Sequence, residues 1–578
     1  MKTKFLVLIL IIPILIFQST CKPMQSADII LYNGKIITVD HNFSIAEALA
    51  ISDGKIVAVG TNRQIKRYAS SKTETIDLKR KTVIPGLIDS HLHPESASLS
   101  ELEEEIPDIH TLEQLLTWIQ AQTVIKQDGQ WIIIPKFFST RLIELRQPTL
   151  TELDIAAPAN PVFLNGSFGG MVNSAAMRLS GITDKTDHRG IIKDTETGFP
   201  TGFIQASAFN LIKLPQKKAL SYQEKQDALK AMLNRYNHYG ITSLFSGAGD
   251  FESVKMYFDM AEKKVLTARI YQNILLPTFG EITKESVKNE LEKYINTTGY
   301  GDEWVRIGSL KIFLDGGILT GTAFLREPWG KTAGEIYGIN DPAYKGVINY
   351  SRQELLTIVS LANEYNWSFT AHVTGGGAVD LLLDVFNEVN QVKSIKDRRF
   401  SIIHGNFFTD DAIKLMNELG VSANMQAAWF YKDADAMKYI LGEERIKTFH
   451  PYRSMIDAGV LINGGSDHMV KFDANTSINP YNPFLAMWSM ITRTTERGSV
   501  IIKTEAITRE EALKIYTINN AYASFEESIK GSIEPGKMAD LAIISDDILT
   551  CPTDKIKDIE SVLTILGGKI VYGSITEL

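Results

Sequence analysis

Between residues 83 and 463, short apolar runs alternate with helical segments, and this alternation restricts the chain's fold more than any other feature. The strand candidates are 83–88, 241–245, 268–274, 306–314, 368–371, 400–403, 421–425 and 460–463. Most are short and rich in Val, Ile, Leu or Phe, which suits strands buried on both faces. Helical stretches separate most of them, among them 222–239, 352–365 and 410–418. Eight strands with helical crossovers predict an α/β fold closed as a (β/α)8 TIM-like barrel over 83–519. The stretch from 88 to 241 is far longer than one crossover needs, so 111–220 is expected to be an inserted α/β subdomain near the barrel mouth.

The two chain ends share a different texture. Residues 27–82 hold short strand candidates around the turn dipeptides Asn33-Gly34 and Asp53-Gly54. Residues 520–578 return to it, with the turn-rich Gly531-Ser532-Ile533-Glu534-Pro535-Gly536-Lys537 and a hairpin about Gly567-Gly568. Neither end is long enough for a stable sheet of its own. The expectation is one composite β-sandwich built from both.

Residues 1–21 stand apart. Lys2 and Lys4 precede an apolar run from Phe5 to Phe17, which suits the core of a secretory leader and is short for a membrane span. An uncleaved anchor is the alternative. The leader implies export to the periplasm or cell surface. Cys21 is a candidate lipid-anchor site of a lipoprotein, with ordinary signal cleavage as the alternative. Cys551 is the only other cysteine, so a disulfide framework is excluded. With a net charge of −8 and no basic stripe, nucleic acid is not an expected partner. The oligomeric state stays open, a homodimer being one option.

Chemistry concentrates at strand ends, where barrel enzymes place it. In Pro85-Gly86-Leu87-Ile88-Asp89-Ser90-His91-Leu92-His93 the two histidines alternate along one strand and so share a face. Two such imidazoles can hold one divalent metal. Lys311 lies amid apolar residues on the fourth strand candidate. Burying its charge is costly. Reaction with CO2 would turn the amine into an anionic carbamate ligand, and pairing with a carboxylate is the alternative. His372 and His404 end the fifth and sixth strand candidates, and Asp467 follows the eighth in Asn463-Gly464-Gly465-Ser466-Asp467. An aspartate there can ligate metal and move a proton. His468 adjoins it as a candidate substrate contact. Each residue alone has an ordinary structural explanation, but their succession in barrel order is far more specific.

With these motifs the chain resembles the amidohydrolase superfamily, and more closely its family-3 branch of YtcJ-like proteins and N-substituted formamide deformylases. The resemblance runs from Ala27 to Tyr572 and includes the Gly531–Asp540 stretch that returns the chain to the β-sandwich. It implies two divalent metal ions, usually zinc, the first held by His91, His93 and Asp467, the second by His372 and His404, with N-carboxylated Lys311 as bridge. It further implies a hydrolase of a non-peptide C–N bond in a small amide. Metal-activated hydroxide would attack the carbonyl, and Asp467 would carry the proton to the leaving amine.

Some positions depart from the branch. Relatives carry Asp-Gly-His shortly before the Asn-Ser that here is Asn173-Ser174, whereas this chain has Asn165-Gly166-Ser167-Phe168-Gly169. A Gly-Asp-Arg run is replaced by Thr374-Gly375-Gly376-Gly377, and a glutamate by Ile403. Phe168 and Asn173, in and beside the first of these stretches, are therefore candidate substrate-binding residues; Arg493 matches a family arginine after the eighth strand and could hold a substrate carboxylate, a surface ion pair being the alternative. Two rivals remain beside the two-metal hydrolase. One is a catalytically idle ligand-binding surface lipoprotein on this scaffold. The other is a single-metal enzyme with unmodified Lys311.

Overall fold

In the computed structural model, which describes residues 26–578 except 103, 217–218, 277–281, 294–296 and 340, eight parallel strands pair in sequence order around a barrel. They are Leu87–Leu92, Ile241–Gly249, Arg269–Leu275, Val305–Phe313, Phe369–Val373, Ser401–His404, Ser422–Gln426 and Ile462–Gly465. Helices such as Tyr222–His238, Arg352–Glu364, Gly376–Val392 and Asp410–Leu419 cover the outside. Their apolar faces join the strand residues in one large core. The leader and Cys21 lie outside the described residues, and Cys551 is a buried free thiol.

The first strand corrects the expected boundary. Residues 83–88 straddle two sheets. Thr82–Pro85 pairs parallel with Lys35–Ile37 and antiparallel with Leu541–Ile544, outside the barrel. The chain then breaks at Gly86, where a Cβ would lie 2.2 Å from Thr242 Oγ1, and Leu87–Leu92 enters the barrel. Both strands are buried throughout, so hydropathy runs across the break and only Pro85-Gly86 marks it.

The two ends of the chain form one module. A sheet ordered Lys55–Gly60, Ala48–Ser52, Ile29–Tyr32, Glu74–Asp77 faces a six-stranded sheet that mixes Ile45–Ala46, Lys35–Ile37 and Thr82–Pro85 with Leu541–Ile544, Ser561–Leu566 and Lys569–Gly573. Leu31, Leu49, Val83, Leu541, Ile543 and Leu563 share its core. Asp53 and Gly54 both take left-handed backbone (φ 50° and 72°), as a two-residue hairpin with the right-handed twist of its strands requires.

The long excursion before the second barrel strand contains its own five-stranded sheet, from Ile132–Ile134 to Pro200–Gln205. Side chains alternate across it. Val162 and Leu164 pack with helices Leu112–Ile125 and Leu150–Ala156, while Phe163 packs with Ser174–Ser180.

No strand ladder joins the first and eighth barrel strands, and polar groups close the seam instead. Asn520 Nδ2 donates to Ile88 O (2.5 Å) and Gly464 O (2.8 Å), while its Oδ1 accepts from Gly464 N (3.1 Å). Asp89 Oδ1 accepts from His91 N and Ser466 N, and Asp467 N donates to His91 O at 2.6 Å. Replacing Asn520 by alanine strands three buried backbone groups. The expected loss is about 2–4 kcal/mol, read as a lower urea midpoint. An unchanged midpoint would show that the seam does not depend on this amide.

Candidate metal centre

The C-terminal strand ends bring the predicted ligands together. His91 and His93 come from the first strand, with ring centroids 5.1 Å apart. Asp467 reaches them across the seam, its Oδ1 3.3 Å from Nε2 of each ring. Yet Asp467 Oδ1 makes no hydrogen bond, and neither does buried His91 Nδ1. Two imidazole nitrogens and a carboxylate oxygen converging this way are the donor set of a divalent cation. His404 lies 5.5 Å from His91 and 4.7 Å from His372, centroid to centroid. Lys311 is 0% exposed, and its Nζ has no hydrogen-bond partner. These orphaned buried atoms fit a metal centre and would be costly without one.

Surrounding bonds fix which nitrogens face inward. His372 Nε2 donates to Gly316 O (3.1 Å), leaving Nδ1 as its free lone pair. Gln426 spends its amide N–H groups on Asn424, so its Oε1 accepts from His404 Nδ1 at 2.7 Å and His404 Nε2 stays free. Trp429 Nε1 donates to Asp467 Oδ2 (3.1 Å), which reserves Oδ1 for the histidine side. Burial, followed by the nearby Lys311 charge, pushes His91 and His372 down to about 3, so both rings are neutral and able to ligate at neutral pH. Burial likewise holds His404 well below the usual histidine range and lowers Lys311 to about 7.

The backbone at two of these residues is unusual. His404 (φ 72°) and Asp467 (φ 56°) adopt left-handed conformations, and such strain is commonly stored at functional sites. Space is equally controlled. On the second strand, a Cβ at Gly247 would lie 2.4 Å from His91 Cε1 and 2.9 Å from His93 Cε1. Gly247→Ala is expected to displace both rings and weaken metal affinity about 10- to 100-fold in a chelator competition. Unaltered affinity would mean that the rings have room to shift.

These residues floor a cavity of about 910 Å³. Phe168, from the inserted subdomain, lines it and stacks on His372 (centroids 4.9 Å, 28°). Three other expected contacts are corrected. Asn173 is wholly buried as the N-cap of Ser174–Ser180, bonded to Ala176 N, Val162 N, Ala157 O and Asn160 O, and does not line the cavity. Arg493 is buried over the Phe430 ring and donates to the carbonyls of Phe449, His450 and Ile501, so its charge is spent on backbone. His468 is held between Tyr236 OH and Lys471 O.

The sequence reading missed Lys136, Phe138 and Trp429, which all line the cavity. Lys136 ends the apolar run Trp131-Ile132-Ile133-Ile134-Pro135, the same signal that singled out Lys311. Trp429 follows the seventh strand, so strand-end position would have found it.

The amidohydrolase family profile matches residues 74–572. The N-substituted formamide deformylase of Arthrobacter pascens is 29% identical over 95% of this chain and 99% of its own length. YtcJ of Bacillus subtilis (strain 168) is 25% identical over 94% and 99%. Among solved structures, an uncharacterized metal-dependent hydrolase from Pyrococcus horikoshii has a TM-score of 0.67 at 22% identity, covering 91% of this chain and 99% of that one. This last likeness is one of fold.

Proposed function

The chain belongs to the amidohydrolase family, and on that premise we propose that it hydrolyses a non-peptide carbon–nitrogen bond in a small amide with the metal centre described above. The observation that carries this reading is the convergence of His91, His93 and Asp467 beside a buried, unpaired Lys311 and two oriented histidines. His91, His93 and Asp467 would hold one divalent ion, and His372 and His404 a second. Lys311, carboxylated by CO2, would bridge them. The all-histidine and carboxylate donor set suits zinc. When bound, the metals make water nucleophilic at neutral pH and polarise the carbonyl.

The chain's own groups supply the rest. Asp467 takes the proton from water and passes it to the leaving nitrogen, so amide and water become carboxylic acid and amine. Trp429 holds the other carboxylate oxygen and fixes the angle from which Asp467 works. Gly316 O and Gln426 keep His372 and His404 in the ligating tautomers. The aromatic side chains of Phe138, Phe168, Phe313 and Trp429 wall the cavity and exclude water from the reacting carbonyl.

A second reading has one ion and unmodified Lys311. It is favoured by the tighter grouping of His91, His93 and Asp467, whose donor atoms lie within 4.8 Å of one another. Elemental analysis of protein purified without chelator and with bicarbonate separates the two, at about two or one equivalents. Amine release from an N-substituted formamide then tests the reaction. No bound metal after reloading would sink both readings and leave an idle binding protein. The proposal extends to export, supported by Lys2, Lys4 and the apolar run to Phe17, with Cys21 as lipid-anchor candidate.

A further inference from the structure

Enclosed cations in this protein are generally met by carboxylates or, at Arg493, by three backbone carbonyls. Arg269 meets Asp540 at 2.7 Å, Arg141 meets Asp433 at 2.8 Å and Lys530 meets Glu526 at 2.6 Å. Buried Lys311 and half-buried Lys136 depart from this pattern. Lys311 is accounted for by the metal centre. Lys136 is not. It follows the insert strand Ile132–Ile134, lines the cavity, and donates one hydrogen bond, to Ser167 Oγ. Among the described residues it makes no ion pair.

An ammonium carries three donors, so two remain without a protein acceptor. Enclosing such a group without a counter-charge is costly. Burial lowers its pKa to about 8, which still leaves it mostly protonated at neutral pH. The surroundings offer no internal remedy. Among the described residues Asp467 is the one carboxylate lining the cavity, and it belongs to the metal centre. Arg189, exposed at the cavity wall, adds a second positive charge. Phe138, Phe168 and Trp429 line the same cavity. Lys136 and the residues of the metal centre line one cavity of about 910 Å³, room for a single small molecule to meet both.

We propose that Lys136 and Ser167 form an anion subsite, and that the substrate is an amide carrying a carboxylate on an aromatic or similarly flat apolar body. The carboxylate supplies the counter-charge that Lys136 lacks. The apolar body lies against Phe138, Phe168 and Trp429, and the amide carbonyl reaches the metal centre. This rests on the hydrolase reading and adds to it the substrate's charge and shape. It assigns the inserted subdomain the choice of substrate and the barrel the bond cleavage.

The test compares 4-(formamidomethyl)benzoate with N-benzylformamide, which lacks the carboxylate, on the metal-loaded full chain. The wild type is expected to favour the benzoate in kcat/KM by about 10- to 100-fold, the worth of a charge-assisted hydrogen bond. In Lys136→Met that preference should vanish, chiefly through KM, with metal content unchanged. Lys136→Arg should restore part of it. Equal rates on both compounds in the wild type, or a preference that survives Lys136→Met, would overturn the subsite.

If neither compound is turned over, thermal stabilisation by each compound still decides. A shift with the benzoate alone, lost in Lys136→Met, would uphold the subsite while the hydrolase reading fails. No selective shift would overturn the subsite.

Discussion

Asp467→Asn should lower kcat by about 10²- to 10⁴-fold while leaving the fold intact, because the isosteric amide keeps the shape and cannot carry a proton. His91→Ala should abolish turnover by a different route, removing a ligand and with it metal from the His91–His93–Asp467 group. Metal analysis distinguishes the two, since the asparagine variant should retain more metal than the alanine variant. Circular dichroism of both should match the wild type, because neither change opens the apolar core. Full activity in both variants would refute the site as assigned.

The second large effect concerns Lys311, for which methionine fills a similar volume without charge. In Lys311→Met about one of two metal equivalents should be lost, and turnover should fall with it. The metal-free protein should move the other way. Replacing a lone buried cation by an apolar side chain is neutral or stabilising, so apo Lys311→Met should unfold at a higher urea concentration than apo wild type. That pairing of lower activity with higher stability marks a residue kept for chemistry at the expense of folding. Wild-type protein loaded in ¹³C-bicarbonate should show a carbamate carbon by NMR. Its absence, with metal content unchanged in Lys311→Met, would favour the single-metal reading.

Much of this site was readable because a barrel converts sequence order into spatial order. His91, Lys311, His372 and His404 lie within their strands and Asp467 just past one, so a strand-end rule sufficed to gather them. The failures share a cause. Asn173 and Arg493 were judged by matching positions, but a side chain's direction depends on local backbone. Asn173 precedes a helix and caps it, a role its Asn-Ser context already offered. Arg493 stands in left-handed backbone after Pro483–Thr492, turned into the protein. Lys136 belongs to the inserted subdomain, whose place near the barrel mouth was expected, but the strand-end rule was applied only to the barrel strands and not to Ile132–Ile134. The split at Gly86 was hidden because two buried strands in succession read as one.

The pairing of Thr82–Pro85 with Leu541–Ile544 has a consequence for how the chain is made. A ribosome releases the first strand hundreds of residues before its partner. Throughout that interval the N-terminal sheet offers an open edge, and the first barrel strand, one residue further on, lacks its eighth neighbour. The barrel gap closes when Ile462–Gly465 emerges, and the sheet edge only when Leu541–Ile544 follows. The protein therefore reaches its native topology as a finished chain, and a stop codon near the end would deny a partner to the strand that leads into the barrel.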